Sequence, residues 1–303
     1  MKISVLSDCR VPTLASGGHG LGRLAHSLAR ILLKRGHDVT LFAGPDSVWD
    51  DGKLILHDDE TTRAETLQLD LETIYIDCSH FHELSKHNPD HQIVNWVLDG
   101  ECRWHPPNAL VTTPYDQKFY PSELMTVGID VDAIAFVKKP KSDYLAFSAK
   151  IHPNKGVSDG LKVHQGQAIP VKFVGQRMMD VVLPDWRNTL TGKDFSNFVG
   201  NALGLINPIN AKRQLGGGLM PLDAAAMGCP TIVYDFMSPR YHVKHGVSGF
   251  IVRDVDEMID AVQDLHLIDR KKCREWVMEN HSLEKMAIHM EAYLQKTFDK
   301  VGV

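Results

Sequence analysis

The stretch Leu215–Pro230 reads LGGGLMPLDAAAMGCP. Three consecutive glycines, Gly216, Gly217 and Gly218, open a short apolar run rich in alanine, and the pattern predicts a helix that stops at Gly228. Pro230 then leads into Thr231-Ile232-Val233-Tyr234, a β-type run. Consecutive glycines let backbone N–H groups approach a ligand closely. A helix starting there adds a positive dipole end, so this start suits a phosphate. A flexible turn before a buried helix would use the same residues. The surrounding chain decides between the two.

On both sides of this stretch the pattern alternates strand and helix. Strands are expected at Tyr144–Ser148, Val171–Val174, Leu203–Ile206 and Gly249–Val252. Lys150-Ile151-His152-Pro153-Asn154-Lys155-Gly156 follows the first of these and leads into a helix reaching about Gln165. The acidic turn Asp254–Glu257 precedes a helix through Leu265. The chain ends in an amphipathic helix with Leu283, Met286, Met290, Tyr293 and Leu294 on one face.

The first half repeats the plan. Lys2–Ser7 reads as a buried strand, followed by a loop with Gly17, Gly18, Gly20 and Gly22. A helix from about Leu21 to Arg35 carries Leu24, Leu28, Ile31 and Leu32 at helical spacing, and Gly36 ends it before the strand His37–Phe42. The glycines lie too far beyond the strand, and in the wrong spacing, for the dinucleotide fingerprint G-x-G-x-x-G. Further strands are expected at Leu54–Leu56, Thr73–Ile76, Ile93–Leu98, Ala109–Thr112 and Leu124–Asp130. Four histidines, His80, His82, His87 and His91, lie within twelve residues, but their spacing matches no helix-face ligand pair and no cysteine pair accompanies them. The stronger reading puts His80 and His82 on a strand-end loop, lining a cleft or solvated. No metal site is assigned.

Lys138-Lys139-Pro140-Lys141 has the composition of an interdomain linker. Its lysines could also touch an anionic acceptor, but a solvated linker is the stronger reading. The chain is therefore expected to be α/β, with two Rossmann-like domains whose parallel sheets face a central cleft. Residues 1–140 form the first domain and 141–282 the second, with the terminal helix, 283–303, available to pack back on the first.

Composition bounds the function. The 303 residues are 43% hydrophobic, enough for two domains, and 33 basic against 38 acidic side chains give a net charge of −5. That argues against a broadly basic nucleic-acid surface. The five cysteines are scattered and odd in number, the first strand begins directly after Met1, and no apolar run approaches the roughly 20 residues of a membrane span. A reduced, cytoplasmic protein without a transmembrane segment is the expectation.

Five segments in order resemble motifs of the retaining nucleotide-sugar glycosyltransferases of family 4, which have the GT-B architecture. Gly17-Gly18, a helix and Gly36-His37-Asp38-Val39 are similar to the family's opening glycine loop and its G-H-x-V strand. Val127-Gly128-Ile129-Asp130 resembles the segment closing the first domain. Lys150-(x)4-Lys155-Gly156 resembles R-(x)4-K-G, whose two cations hold the donor diphosphate. Leu215-Gly216-Gly217-Gly218-Leu219-(x)3-Asp223-Ala224-(x)3-Gly228-(x)-Pro230 resembles E-G-F-G-L-(x)3-E-A-(x)3-G-(x)-P, and Gly246–Val252 resembles D-G-x-x-G-x-L-V.

The resemblance implies a hexosyl- or pentosyltransferase whose donor is a nucleotide-diphosphate sugar, UDP-sugars first. Lys150 and Lys155 would stabilise the departing diphosphate without a metal ion or other cofactor. Gly17, Gly18, Gly216, Gly217, Gly218, Leu219 and Asp223 would line the donor, with Asp223 on the ribose hydroxyls. Three departures from the pattern bear on the chemistry. Leu215 stands where the family has a Glu on the donor sugar, and Lys150 replaces an Arg. The first-domain histidine expected after Ile93–Leu98 is not evident, and Asp99 is the nearest polar group to take its part. A nucleotide-sugar-binding protein without transferase activity, for which Leu215 argues, and an epimerase on the same architecture are the alternatives. The acceptor stays open among glycan, lipid, small metabolite and modified nucleic-acid base.

Overall fold

The computed structural model describes residues 1–10, 12–13, 20–58, 65, 67–79, 82–98, 104–120, 122–210 and 219–298. Gly17, Gly18, His80, Asp99, Leu215, Gly216, Gly217 and Gly218 lie outside the described residues. The chain divides into two compact units, Met1–Gly128 together with the segment from Leu283, and Ile129–Ser282.

The first unit is built on a seven-stranded parallel sheet. Its strands are β1 (Lys2–Leu6), β2 (Asp38–Ala43), β3 (Lys53–Leu56), β4 (Thr73–Asp77), β5 (Ile93–Trp96), β6 (Ala109–Val111) and β7 (Glu123–Leu124), in the spatial order β3-β2-β1-β4-β5-β6-β7. The order reverses between β1 and β4, and open α/β sheets bind ligands at the carboxyl ends beside such a reversal. Helix α1 (Gly20–Lys34) buries Leu24, Leu28, Ile31 and Leu32, the residues its 3.6-residue period picks out. A short α2 (Glu83–His87) follows β4. The expected strand Leu124–Asp130 is corrected to its first residue, joined by Glu123 before it. Only Glu123 and Leu124 pair with β6, and Ile129 instead bridges Ser282 within the second unit.

The second unit holds a six-stranded parallel sheet. Its strands are β8 (Leu145–Ser148), β9 (Val171–Val174), β10 (Trp186–Arg187), β11 (Gly204–Asn207), β12 (Thr231–Tyr234) and β13 (Gly249–Val252), ordered β10-β9-β8-β11-β12-β13. Here the reversal falls between β8 and β11. The two-residue period of the strands sorts side chains onto opposite faces. Leu145 and Phe147 pack with Phe173, Ile206 and Ile232 under α3 (Val157–Gly166) and α6 (Val255–Gln263). Ala146 and Leu205 face the other way, under α4 (Gly192–Gly200) and α5 (Leu219–Ala226). Helix α7 (Arg270–Asn280) packs beside α5, and α8 (Leu283–Phe298) returns to the first unit beside α1. Residues 129–141, including the three-lysine stretch, belong to the second unit by their contacts. Among the described residues no helix is long and apolar enough to cross a membrane.

Candidate functional site

The second sheet's reversal point gathers the chemistry. Lys150 and Lys155 lie in the loop leaving β8, beside the start of β11's crossover to α5. The loop is held by backbone bonds to the end of β9: Ile151 N–H donates to Gln176 O (2.8 Å) and Met178 N–H to Ile151 O (3.0 Å). Lys155 N–H closes a turn onto His152 O at 2.9 Å, which brings the two lysines round toward each other. Lys150 is exposed and Lys155 half-buried. Burial, and then the positive charge of Lys150, push the Lys155 ammonium down to about 8. A cation depressed by burial beside a second cation is a site short of negative charge.

Two glycines let this loop sit where it does. Gly156 has φ +72°, and a Cβ there would lie 1.8 Å from Pro208 O, just past β11. At Gly175 (φ +150°) a Cβ would lie 1.7 Å from Ala149 O. Neither position admits a side chain, so the loop is pressed between the ends of β9 and β11. Asn207, the last residue of β11, is buried, and its Oδ1 has no hydrogen-bond partner among the described residues. A buried acceptor left unmade costs about 1–3 kcal/mol, which a ligand's donor at the reversal point would recover.

Asp159, in the first turn of α3, would repel an anion if it faced the loop. It is instead occupied by three donors: Tyr234 Oη (2.8 Å), Lys162 Nζ (3.1 Å) and Asn210 Nδ2 (3.3 Å). Burial, and then Asp159, raise the Tyr234 phenol well above its ordinary value, so it stays a donor. Asp223 lies buried on α5, four residues after half-buried Leu219 and so on the same helical face.

The first sheet ends in buried carboxylates. Asp8 after β1 takes both nitrogens of an Arg10 fork, at 2.9 and 2.8 Å. Asp116 beyond β6 accepts from Thr112 (3.0 Å) and Thr113 (2.8 Å). Asp77, the last residue of β4, accepts from Ser79 N–H at 2.9 Å through one oxygen, while its other oxygen has no partner among the described residues. His82 stands 4.0 Å from Asp77, fully buried, in the left-handed region at φ 55°. Solvation of His82, one of the two readings of the histidine loop, is therefore excluded: the residue is buried immediately before α2. His87 instead lies 3.7 Å from Glu83. Among the described residues no three His, Cys, Asp or Glu side chains converge as a metal-binding group.

Sequence reasoning reached Lys150, Lys155, Leu219, Asp223 and His82, and the structure brings the first two together. It missed Asn207, Gly175, Asp77 and the Asp159–Tyr234 clamp. Asn207 and Asp77 each end a predicted strand at a reversal point, which was a usable signal.

Residues 167–267 match the family described as Glycosyl transferases group 1. That span takes in β9 through β13 and the α5 segment. The fold is that of GT-B glycosyltransferases. AviGT4, a glycosyltransferase involved in avilamycin A biosynthesis, superimposes with a TM-score of 0.76 at 14% identity, covering 100% of this chain and 99% of that one. Sucrose-phosphate synthase from Thermosynechococcus elongatus gives 0.73 at 13% identity, covering 99% and 100%. Anabaena Alr3699/HepE in complex with UDP-glucose gives 0.74 at 10% identity, covering 98% and 100%. No curated protein sequence matches the chain. The family match and the fold together support a glycosyltransferase.

Proposed function

We propose that the protein is a retaining glycosyltransferase of family 4 that takes its sugar from a nucleotide-diphosphate donor, a UDP-sugar first. The carrying observation is the Lys150–Lys155 pair, in which a half-buried ammonium sits beside a second cation at the reversal point of the second sheet. Breaking the glycosidic bond leaves growing negative charge on the diphosphate. Two fixed cations and a glycine-rich helix start are what stabilise such a leaving group.

In this reading Lys150 and Lys155 hold the diphosphate without a metal ion, and the N–H groups of Gly216, Gly217 and Gly218 complete its cradle. Asp223 takes the ribose hydroxyls, and Leu215 stands against the donor sugar. The acceptor belongs to the first unit, where Asp99 is the catalytic candidate and His80 and His82 are candidate cleft residues, while Gly17 and Gly18 line the donor. UDP and UDP-glucose are bound by the Anabaena relative, which supports the choice of nucleotide.

The test is a nucleotide-sugar panel read by nucleotide release with and without acceptors, repeated with Lys155→Ala. Loss of one charge-stabilising group lowers turnover by about a hundredfold. Near-normal turnover of Lys155→Ala with the true donor would overturn the assignment. A binding protein without transfer rests on Leu215, and would bind UDP-sugars while releasing no nucleotide under any condition.

A further inference from the structure

The opposite edge of the second sheet, where its strands begin, carries a groove that plays no part in the reading above. Its volume is about 680 Å³, and Phe136, Lys138, Lys139, Arg270, Arg274 and Met278 are among its lining residues. A second hollow of about 450 Å³ continues from it through the shared Arg270 and is walled by aliphatic side chains around Pro140 and Leu203.

The two arginines are fixed parts of the wall. Arg270 donates to the carbonyls of Val137 (2.9 Å) and Ala202 (3.1 Å), and Arg274 to those of Ile134, Ala226 and Val131 (each 2.8 Å). Their charge is held in place, but most of their donors are spent on backbone. The mobile charge is at the rim. Lys138, Lys139 and Lys141 are exposed, and none forms an ion pair among the described residues. Two carboxylates also line the groove, Asp269 and Glu275, and Glu275 pairs with Lys271 at 3.0 Å, which leaves five basic side chains against two acidic ones in the lining. In a chain of net charge −5 this is a local excess of positive charge. The same groove holds two partly exposed apolar side chains, Phe136 at 37%, with the Arg274 guanidinium 5.9 Å from its ring centre, and Met278 at 48% exposure.

A site for a small soluble anion needs a closed cradle of convergent donors, and this groove is open with its arginine donors already used. A flexible lysine rim around exposed aromatic and thioether groups matches a different occupant. Long lysine stems let the ammonium groups reach lipid phosphates while apolar groups enter the acyl boundary. We infer that this face docks the protein on an anionic phospholipid bilayer, with Lys138, Lys139 and Lys141 meeting the headgroups and Phe136 and Met278 meeting the acyl boundary. Because the face lies at the strand starts, docking leaves the Lys150–Lys155 loop at the strand ends open to solvent. The inference holds whether or not the protein transfers sugar.

The test is co-sedimentation of the full chain with vesicles of equimolar phosphatidylcholine and phosphatidylglycerol, against vesicles of phosphatidylcholine alone. Binding to the mixed vesicles only, weakening as salt is raised, is the expected result. A lysine near an anionic surface is worth about a factor of five, so the triple variant K138Q/K139Q/K141Q lowers the partition coefficient roughly a hundredfold. These are exposed side chains, so its melting temperature and UDP affinity stay those of the parent. Three outcomes overturn the inference: no binding to the mixed vesicles, equal binding to both compositions, or undiminished binding by the triple variant. Loss of binding on adding inorganic phosphate at matched ionic strength would overturn it too, in favour of a soluble anion.

Discussion

Lys155 ties the proposed chemistry to a titration. In the free protein its ammonium is depressed to about 8, by burial and then by Lys150. Diphosphate binding favours the charged form, so UDP should bind with proton uptake near pH 8. Affinity should hold below that pH and fall by up to about tenfold per unit above it. The sign for stability is opposite. The unfolded chain holds the Lys155 proton more tightly, so this residue's contribution to the free protein's stability rises as pH goes from about 8 toward 10.5. Calorimetry in buffers of different ionisation enthalpy measures the uptake, and a UDP affinity flat across this range would contradict it. Leu215 carries a second expectation from sequence alone. Leucine offers no acceptor to sugar hydroxyls, each such bond being worth about 0.5–1.5 kcal/mol. A pentose or deoxy-sugar donor should therefore be preferred, and Leu215→Glu should move preference toward hexoses. Parental preference for glucose, raised further by the substitution, would defeat that idea. Lys150 and Lys155 were legible because charge, spacing and a strand end coincide in one short segment. Gly175 was not, because its requirement comes from Ala149 O, a contact that exists only once β8 and β9 are paired.

Helix α8 was readable from its apolar spacing, and Met286, Met290, Tyr293 and Leu294 are its buried face. Its polar anchor was not readable, since Arg35 and Glu291 are far apart in sequence. Arg35 grips both carboxylate oxygens of Glu291 at 2.7 Å, and His37 Nε2 adds a contact at 2.8 Å. Arg35, offsetting a smaller penalty from burial, pulls the Glu291 carboxyl down to about 2. A depressed carboxyl stabilises fully above its unfolded value of about 4.5, and that stability fades as pH falls from there toward 2. The protection factors of the α8 backbone amides, taken against their intrinsic exchange rates, should accordingly fall on acidification through this window. Glu291→Gln should exchange faster at neutral pH and lose most of the acid response. An unchanged response in the variant would assign it to other carboxylates. Among the elements that escaped the sequence, α7 and β10 did so for different reasons. Helix α7 buries only Cys273 and Val277 among eleven mostly charged residues, so it has no apolar stripe to see. Strand β10 is two residues long and exists by pairing with β9.

For the whole molecule, the alternation of strand and helix was enough to give two parallel sheets. Strand order was not visible, because it depends on which neighbours pair across long sequence gaps. The described residues proposed to hold the donor, Lys150, Lys155, Leu219 and Asp223, all lie in the second unit. UDP at a hundred times its dissociation constant stabilises the state that binds it by about 2.7 kcal/mol. Hydrogen exchange should therefore slow chiefly across β8, β11 and the helices after them, while β1 to β6 change little. Protection confined to the first unit would relocate the nucleotide.

The chain leaves the first unit at Gly128 and comes back to it only at Leu283. During synthesis the second unit is thus complete before the helix that α1 needs has left the ribosome. Domains generally fold as units in the order they emerge, but here the earlier one must wait for a helix translated after the later one. A stop codon placed just before Leu283 would strip α8 from α1 and leave an unfinished first unit together with an intact second unit, the one proposed to bind the nucleotide. Such a truncated chain should bind UDP, be cut by protease within its first hundred or so residues, and transfer nothing.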